Sequence, residues 1–218
     1  MNVELKKDLF NKCVILHIKK GRPVGSKLLK KKFFKHLADS TLRFYLNRLV
    51  KEKLLENVNE YAGRVPTDYG WRNFLEWNLE KVHLNQEEVK LVSKISFKNK
   101  VLYFSKEYKI YYLIKENDGH FVEGGLENVL RNNEFYNIDL LKDFADFLRL
   151  IKEHFNKFTE QLGNQDFLVY IGSENPLKLE IVNKFSLIIK RSGNRICSFV
   201  ALKRLNYPYI TKFINEIL

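Results

Sequence analysis

The chain has 218 residues, 45% of them hydrophobic and 14% aromatic, with 38 basic against 26 acidic residues and a formal net charge of +12. That length holds one large domain or two small ones around a real core, and the composition excludes a disordered chain. The longest apolar runs, such as Ile110 to Ile114, are strand-sized, well short of the roughly 18 residues of a bilayer span, and Met1 to Lys7 has no apolar signal-type stretch, so a cytoplasmic protein without a membrane partner is expected.

Residues 4–19 read as a helix. Leu5, Leu9, Val14, Ile15 and Leu16 form a broad apolar stripe among lysines, and Gly21-Arg22-Pro23 ends it. Ser26 is placed to cap a short second helix to about Phe34, and Asp39 to cap a third that runs to about Lys53. In the third, Leu42, Leu46, Leu49 and Val50 cluster on one side. Ser40, Thr41, Phe44, Asn47, Arg48 and Lys51 fall opposite, with Arg43 at the flank. Leu54 to Asn57 and Arg64 to Pro66 read as a hairpin through Gly63; its second strand stops at Pro66, which has no N–H to give a ladder. Thr67 caps a fourth helix whose Trp71, Phe74 and Leu75 face inward. Three helices, a hairpin and a helix compose a winged helix-turn-helix over residues 1–80.

Beyond Leu79 the texture changes, and residues 81–218 read as a second, α+β domain with a mainly antiparallel sheet. Gln86 to Ile95 is expected as a linking helix. Strands are expected at Val101–Ser105 and Lys109–Lys115, with Glu116 to Gly119 as a turn. Asp139 to Gln161 reads as one long amphipathic helix. Phe167–Ile171, Phe185–Lys190 and Ile196–Leu202 read as strands, the last two joined through Ser192-Gly193-Asn194, and Tyr207 to Leu218 closes as a helix.

The charge is unevenly spread. Residues 1–80 hold 17 basic and 9 acidic groups, net +8, and the remaining 138 residues hold only net +4. Positive charge gathered in one small helical domain suits a polyanion; the bland reading is a solvated lysine-rich surface. Cys13 and Cys197 are too few for a disulfide framework and read as reduced, buried hydrophobes. The five histidines have no metal-ligand spacing with one another or with cysteine. There is no G-x-S-x-G elbow and no phosphate-binding glycine loop. No enzyme, cofactor or metal is expected.

On the polyanion reading, the contact candidates are those of a DNA-binding helix. An α-helix fits the major groove and reads base edges with its exposed face. Arg43 has the reach to fork onto a guanine and Asn47 onto an adenine. Ser40 and Thr41 reach phosphate or base, Arg48 shares their face, and Phe44 meets a thymine methyl or packs against a neighbouring domain. Ser26 and Lys27 sit at a helix start that favours phosphate, although Ser26 can simply be a cap. Lys27, Lys31 and Lys35 recur every four residues as a basic stripe, which is a phosphate contact or a solvated face. Arg64 on the hairpin enters a minor groove or pairs with Glu60 or Asp68.

Several of these segments carry a resemblance. Gly21-Arg22-Pro23-Val24-Gly25-Ser26-Lys27, Ser40-Thr41-Leu42-Arg43 and Ala62-Gly63-Arg64-Val65-Pro66-Thr67-Asp68-Tyr69-Gly70 resemble the helix-turn-helix and wing signatures of the HrcA family of heat-inducible transcription repressors. In the second domain, Gly125-Leu126-Glu127-Asn128-Val129-Leu130 with Glu134-Phe135, Ile171-Gly172-Ser173-Glu174-Asn175-Pro176, and Arg204 with Tyr207-Pro208 are similar to further family segments. The chain departs from the family at Phe34, where a glycine is usual, at Ala38 and Asp39 in place of Ser-Ser, and at Phe44 in place of Asn. It is also shorter, with too few residues over 80–118 for the family's dimerising insertion.

The resemblance implies a GAF-like second domain, a homodimer on an inverted-repeat operator in double-stranded DNA, and repression of chaperone operons. It also implies support from the GroEL chaperonin and loss of repression on heat stress. The runner-up expectation is a DNA-binding regulator whose GAF-like domain senses a small effector.

Overall fold

The computed structural model describes residues 3–59, 63–163 and 165–218, and the chain divides into two compact units. Unit 1 spans Met1–Lys81 with Asn206–Pro208, and unit 2 spans Val82–Leu205 with Tyr209–Leu218. The fold class is α+β, with helices and antiparallel strands throughout.

Unit 1 runs α1 (Val3–Lys20), α2 (Ser26–Lys32), α3 (Asp39–Lys51), β1 (Leu55–Asn59), β2 (Gly63–Pro66) and α4 (Asp68–Asn78). Helix α1 ends where Gly21 turns to a φ of +63°, a conformation that costs glycine nothing. Its buried side includes Leu9, Phe10, Cys13 and Val14, and Leu29, Leu42, Leu46, Leu49, Trp71 and Phe74 are buried from the later helices. Thr67 caps α4 by accepting from the Gly70 N–H at 2.9 Å. Two expected caps are not formed. The N-cap of α2 is Gly25, with Ser26 already inside the helix, and that of α3 is Ala38. Asp39 pairs instead with Lys30 at 3.9 Å, which ties α3 back to α2.

Unit 2 begins with α5 (Gln86–Ser93) and α6 (Phe97–Tyr108). Strands β3 (Tyr111–Lys115) and β4 (Phe121–Gly124), the short α7 (Leu126–Val129), then α8 (Ile138–Glu153) and α9 (Phe155–Thr159) follow. Strands β5 (Phe167–Ile171), β6 (Phe185–Ser192) and β7 (Arg195–Leu202) lead to α10 (Tyr207–Ile217). The five strands form one antiparallel sheet in the order β4-β3-β7-β6-β5.

Both faces of this sheet are covered. Phe144, Phe147 and Ile151 of α8 and Phe155 and Phe158 of α9 share a core with Leu113, Leu187, Ile189 and Val200. On the other face Phe104 of α6 meets Phe199 of β7 at 5.9 Å and Phe213 of α10 at 5.3 Å. Burial on two sides explains why β6 and β7 read as nearly continuous apolar runs rather than alternating ones.

Helix α5 is pinned by one carboxylate. Glu88 accepts from the hydroxyls of Tyr103 (2.7 Å) and Tyr108 (3.1 Å) on α6 and of Tyr209 (2.7 Å) on α10.

The structure corrects two expectations in unit 2. Val101–Ser105 is helical, not a strand: Ser96 caps α6, and Val101, Phe104 and Ser105 are buried at helical spacing. The helix expected over 139–161 breaks at His154, whose φ of −114° and ψ of 26° leave the α region, and α9 restarts with Phe155 turned into the core. Strand β4 had no expectation at all; its residues are exposed or half-exposed, so no apolar alternation marks it.

Candidate nucleic-acid interface

Helix α3 has two distinct sides. Leu42, Leu46 and Leu49, spaced four and three apart, are fully buried, whereas Ser40, Arg43, Phe44, Asn47, Arg48 and Lys51 are exposed. Thr41 and Val50 lie half-buried between the two sides. Phe44 is 57% exposed, and the Tyr45 ring lies 5.7 Å away. It is a large apolar ring at the centre of an otherwise polar helix face.

Helix α2 lies before it. Lys27 and Lys31 are exposed on α2, but Lys35 falls beyond its end at Lys32, so the basic stripe is two helical residues and one loop residue. Ser26 is 8% exposed.

The hairpin follows α3. Strands β1 and β2 pair in antiparallel register, Leu55↔Pro66 through Asn57↔Arg64, with an irregularity at Val58 before Asn59↔Gly63. Strand β2 is also tied to the loop before α2. The Val24 N–H donates to the Arg64 carbonyl at 2.8 Å and the Arg64 N–H to the Val24 carbonyl at 3.0 Å. Only glycine fits next to this bridge: Gly63 has a φ of +96°, and a Cβ there would lie 2.8 Å from the Val24 backbone. A Cβ on Gly70 would stand 2.0 Å from the Leu54 carbonyl oxygen, which explains the glycine three residues after the Thr67 cap. Ala62 of the wing-like signature and Glu60, one expected partner of Arg64, lie outside the described residues.

Arg64 does not project freely from the hairpin. It is half-buried, and its guanidinium donates to Asn47 Oδ1 at 2.6 Å. Its Nε is buried without a hydrogen-bond partner, and desolvation pulls its pKa below the ordinary value, opposed by the nearby Cys13 thiol. This link between hairpin and α3 joins residues 17 apart and has no spacing signal in the sequence.

Unit 2 holds a cleft of about 510 Å³ lined by Tyr111, Glu123, Gly124, Leu126, Ala145, Leu148, Arg149 and Lys152. Its charged groups are already engaged: Glu123 accepts from Tyr111 and Lys152, and Arg149 from α8 donates to both oxygens of Glu153 at 2.8–2.9 Å. Among the described residues there is no metal-holding group of His, Cys, Asp and Glu, and no helix long and apolar enough to cross a membrane.

The signature-like segments of unit 2 make contacts within the unit. Gly125 takes a φ of +85° against Ser105, where a Cβ would lie 2.1 Å from the hydroxyl, and Asn128 donates to that hydroxyl at 3.0 Å. Asn175, 2% exposed, donates to the Gly172 carbonyl and to Asn183 and accepts from the Lys178 N–H. Arg204 pairs with Glu134, which joins two of the segments directly.

No protein-family model matches the chain. A curated heat-inducible transcription repressor HrcA of Chlamydia trachomatis serovar D is 36% identical over 74 residues, 34% of this chain and 18% of the relative. That of Chlamydia pneumoniae is 39% identical over 61 residues, 28% of this chain and 15% of the relative. That of Carboxydothermus hydrogenoformans is 29% identical over 92 residues, 42% and 27% respectively. The chain is thus HrcA-like over about a third of its length, and spans about a fifth of the length of the curated relatives it matches. A crystal structure of a hypothetical protein covers 100% of this chain and 96% of its own with a TM-score of 0.75 at 16% identity, which shows a shared fold alone.

Proposed function

We propose that the chain is a sequence-specific DNA-binding repressor of heat-shock genes. The observation that carries this is the exposed side of α3, where Arg43, Phe44, Asn47 and Arg48 stand together beside a hairpin tied to the same helix. Residues 1–80 act as a winged helix-turn-helix. Helix α3 enters a major groove, with Arg43 on a guanine, Phe44 against a thymine methyl, Asn47 on a base edge, and Ser40, Thr41 and Arg48 on base or phosphate. Lys27 and Lys31 hold the backbone, and the hairpin with Arg64 lies alongside; Ser26, being buried, is structural. Residues 81–218 serve as a GAF-like module.

A homodimer reads an inverted repeat upstream of chaperone operons. The GroEL chaperonin maintains the folded repressor, and heat shifts it to an inactive form. A change of one or two kcal/mol in stability alters the folded fraction several-fold, so a marginally stable repressor serves as its own thermometer, with binding and release in place of catalysis. Selection from a random double-stranded pool at a low and a heat-stress temperature tests this. An enriched inverted repeat, bound at the lower temperature and released at the higher, is expected. A pool that stays random at both contradicts DNA recognition.

A further inference from the structure

Asn47 stands at the middle of the exposed side of α3, and its carbonyl oxygen is engaged by Arg64 at 2.6 Å. A guanidinium only donates hydrogen bonds, so the atom it meets is Oδ1, and the amide NH₂ of Asn47 is left as the outward group. Arg64 is itself held from three directions. Its backbone is bonded on both sides to Val24, its Nε is buried, and Gly63 before it admits the close approach of the loop. The orientation of Asn47 is therefore set by the hairpin and not by the helix that carries it.

A free asparagine reads adenine at two points, donating to N7 and accepting from the N6 amino group. An asparagine whose oxygen already accepts from a cation keeps one lone pair, but beside a positive charge that disfavours a second donor such as the adenine amino group. Its NH₂ becomes the favoured contact, and such a group matches the edge of guanine, where O6 and N7 both accept. We infer that Arg64 is a positioning residue that biases Asn47 toward reading as a donor, so that the base pair facing Asn47 in the operator is G·C rather than A·T. This rests on the DNA-binding function proposed above and adds how one position of the target is chosen.

The test is pool selection with the whole chain and three variants. Asn47→Ala locates the position: the one base pair whose preference disappears in this surface variant is the one Asn47 reads. In the wild type that position is expected to be G·C. Arg64→Met frees the oxygen and shifts the position toward A·T by about tenfold, with the rest of the half-site unchanged, and Arg64→Lys, which keeps a cationic donor, retains G·C. A wild-type preference for A·T at the position lost in Asn47→Ala overturns the inference, as does an unchanged G·C in Arg64→Met or the absence of any position lost in Asn47→Ala. If Arg64→Met does not fold, the wild-type and Asn47→Ala arms still decide. A wild type that enriches no sequence overturns the proposed function as well, and so is distinct from every outcome in which a half-site is recovered with the wrong base.

Discussion

Arg43 stands exposed at the flank of α3, one turn before Asn47, and carries a rigid five-donor fork. Arg43→Ala is expected to weaken binding to the selected site by on the order of 1–3 kcal/mol and to random duplex by much less. Titrations of both duplexes decide: equal losses mean that Arg43 touches phosphate only. Gly70 makes a prediction of another kind. Its backbone passes so near the Leu54 carbonyl that an added methyl would sit 2.0 Å from the oxygen, and backbone atoms cannot swing away as a side chain would. Gly70→Ala is expected to destabilise by about 2–3 kcal/mol through forced displacement of α4 from the start of β1. Chemical denaturation reads this directly, and a midpoint equal to that of the wild type would show that the helix start has room to move.

At the scale of elements, α2 is short but carries three exposed lysines, Lys27, Lys31 and Lys32, the first two one turn apart. If Lys27 and Lys31 hold phosphates, Lys27→Ala and Lys31→Ala each reduce the log–log salt slope of DNA binding by about 0.9, on specific and random duplex alike. Unchanged slopes would assign these lysines to a solvated surface. Much of α3 was legible beforehand because Leu42, Leu46 and Leu49 define its inner side by period alone, so the outer side follows. The bond from Arg64 to Asn47 was not, since it depends on hairpin register and on how far the guanidinium reaches. Periodicity also failed over Val101–Phe104, four apolar residues in a row that suit a strand as well as a buried helix; the Ser96 cap and the left-handed Lys109 at the far end settle it as helix. The break at His154 was hidden because Phe155 and Phe158 continue an apolar pattern on both sides of it. The antiparallel character of the second sheet was readable from turns such as Gly193-Asn194, whereas the edge position of β4 was not.

For the whole molecule, the two cysteines give a pH dependence. Both are fully buried, one in each unit, and burial pushes each thiol up to about 12 from an ordinary value of 9.0. A raised thiol pKa means that the folded chain retains protons the unfolded chain releases. The stabilisation is therefore intact below pH 9 and is lost as pH climbs from 9 toward 12, by about 1.4 kcal/mol per pH unit for each thiol. Burial also raises the phenols of Tyr103, Tyr108 and Tyr111, which adds in the same sense at the alkaline end. Denaturant midpoints in reducing buffer are expected to drop between pH 8 and pH 10; a constant midpoint would mean that water reaches both thiols. Glu88 offers a different kind of sensitivity, because one carboxylate closes contacts between α5, α6 and α10 across as many as 121 residues of sequence. Tyr103→Phe, Tyr108→Phe and Tyr209→Phe each delete one bond and leave two, but Glu88→Ala strands three hydroxyls in a single step. Once that acceptor is gone, further tyrosine substitutions have little left to break, so the combined variants must fall well short of additivity.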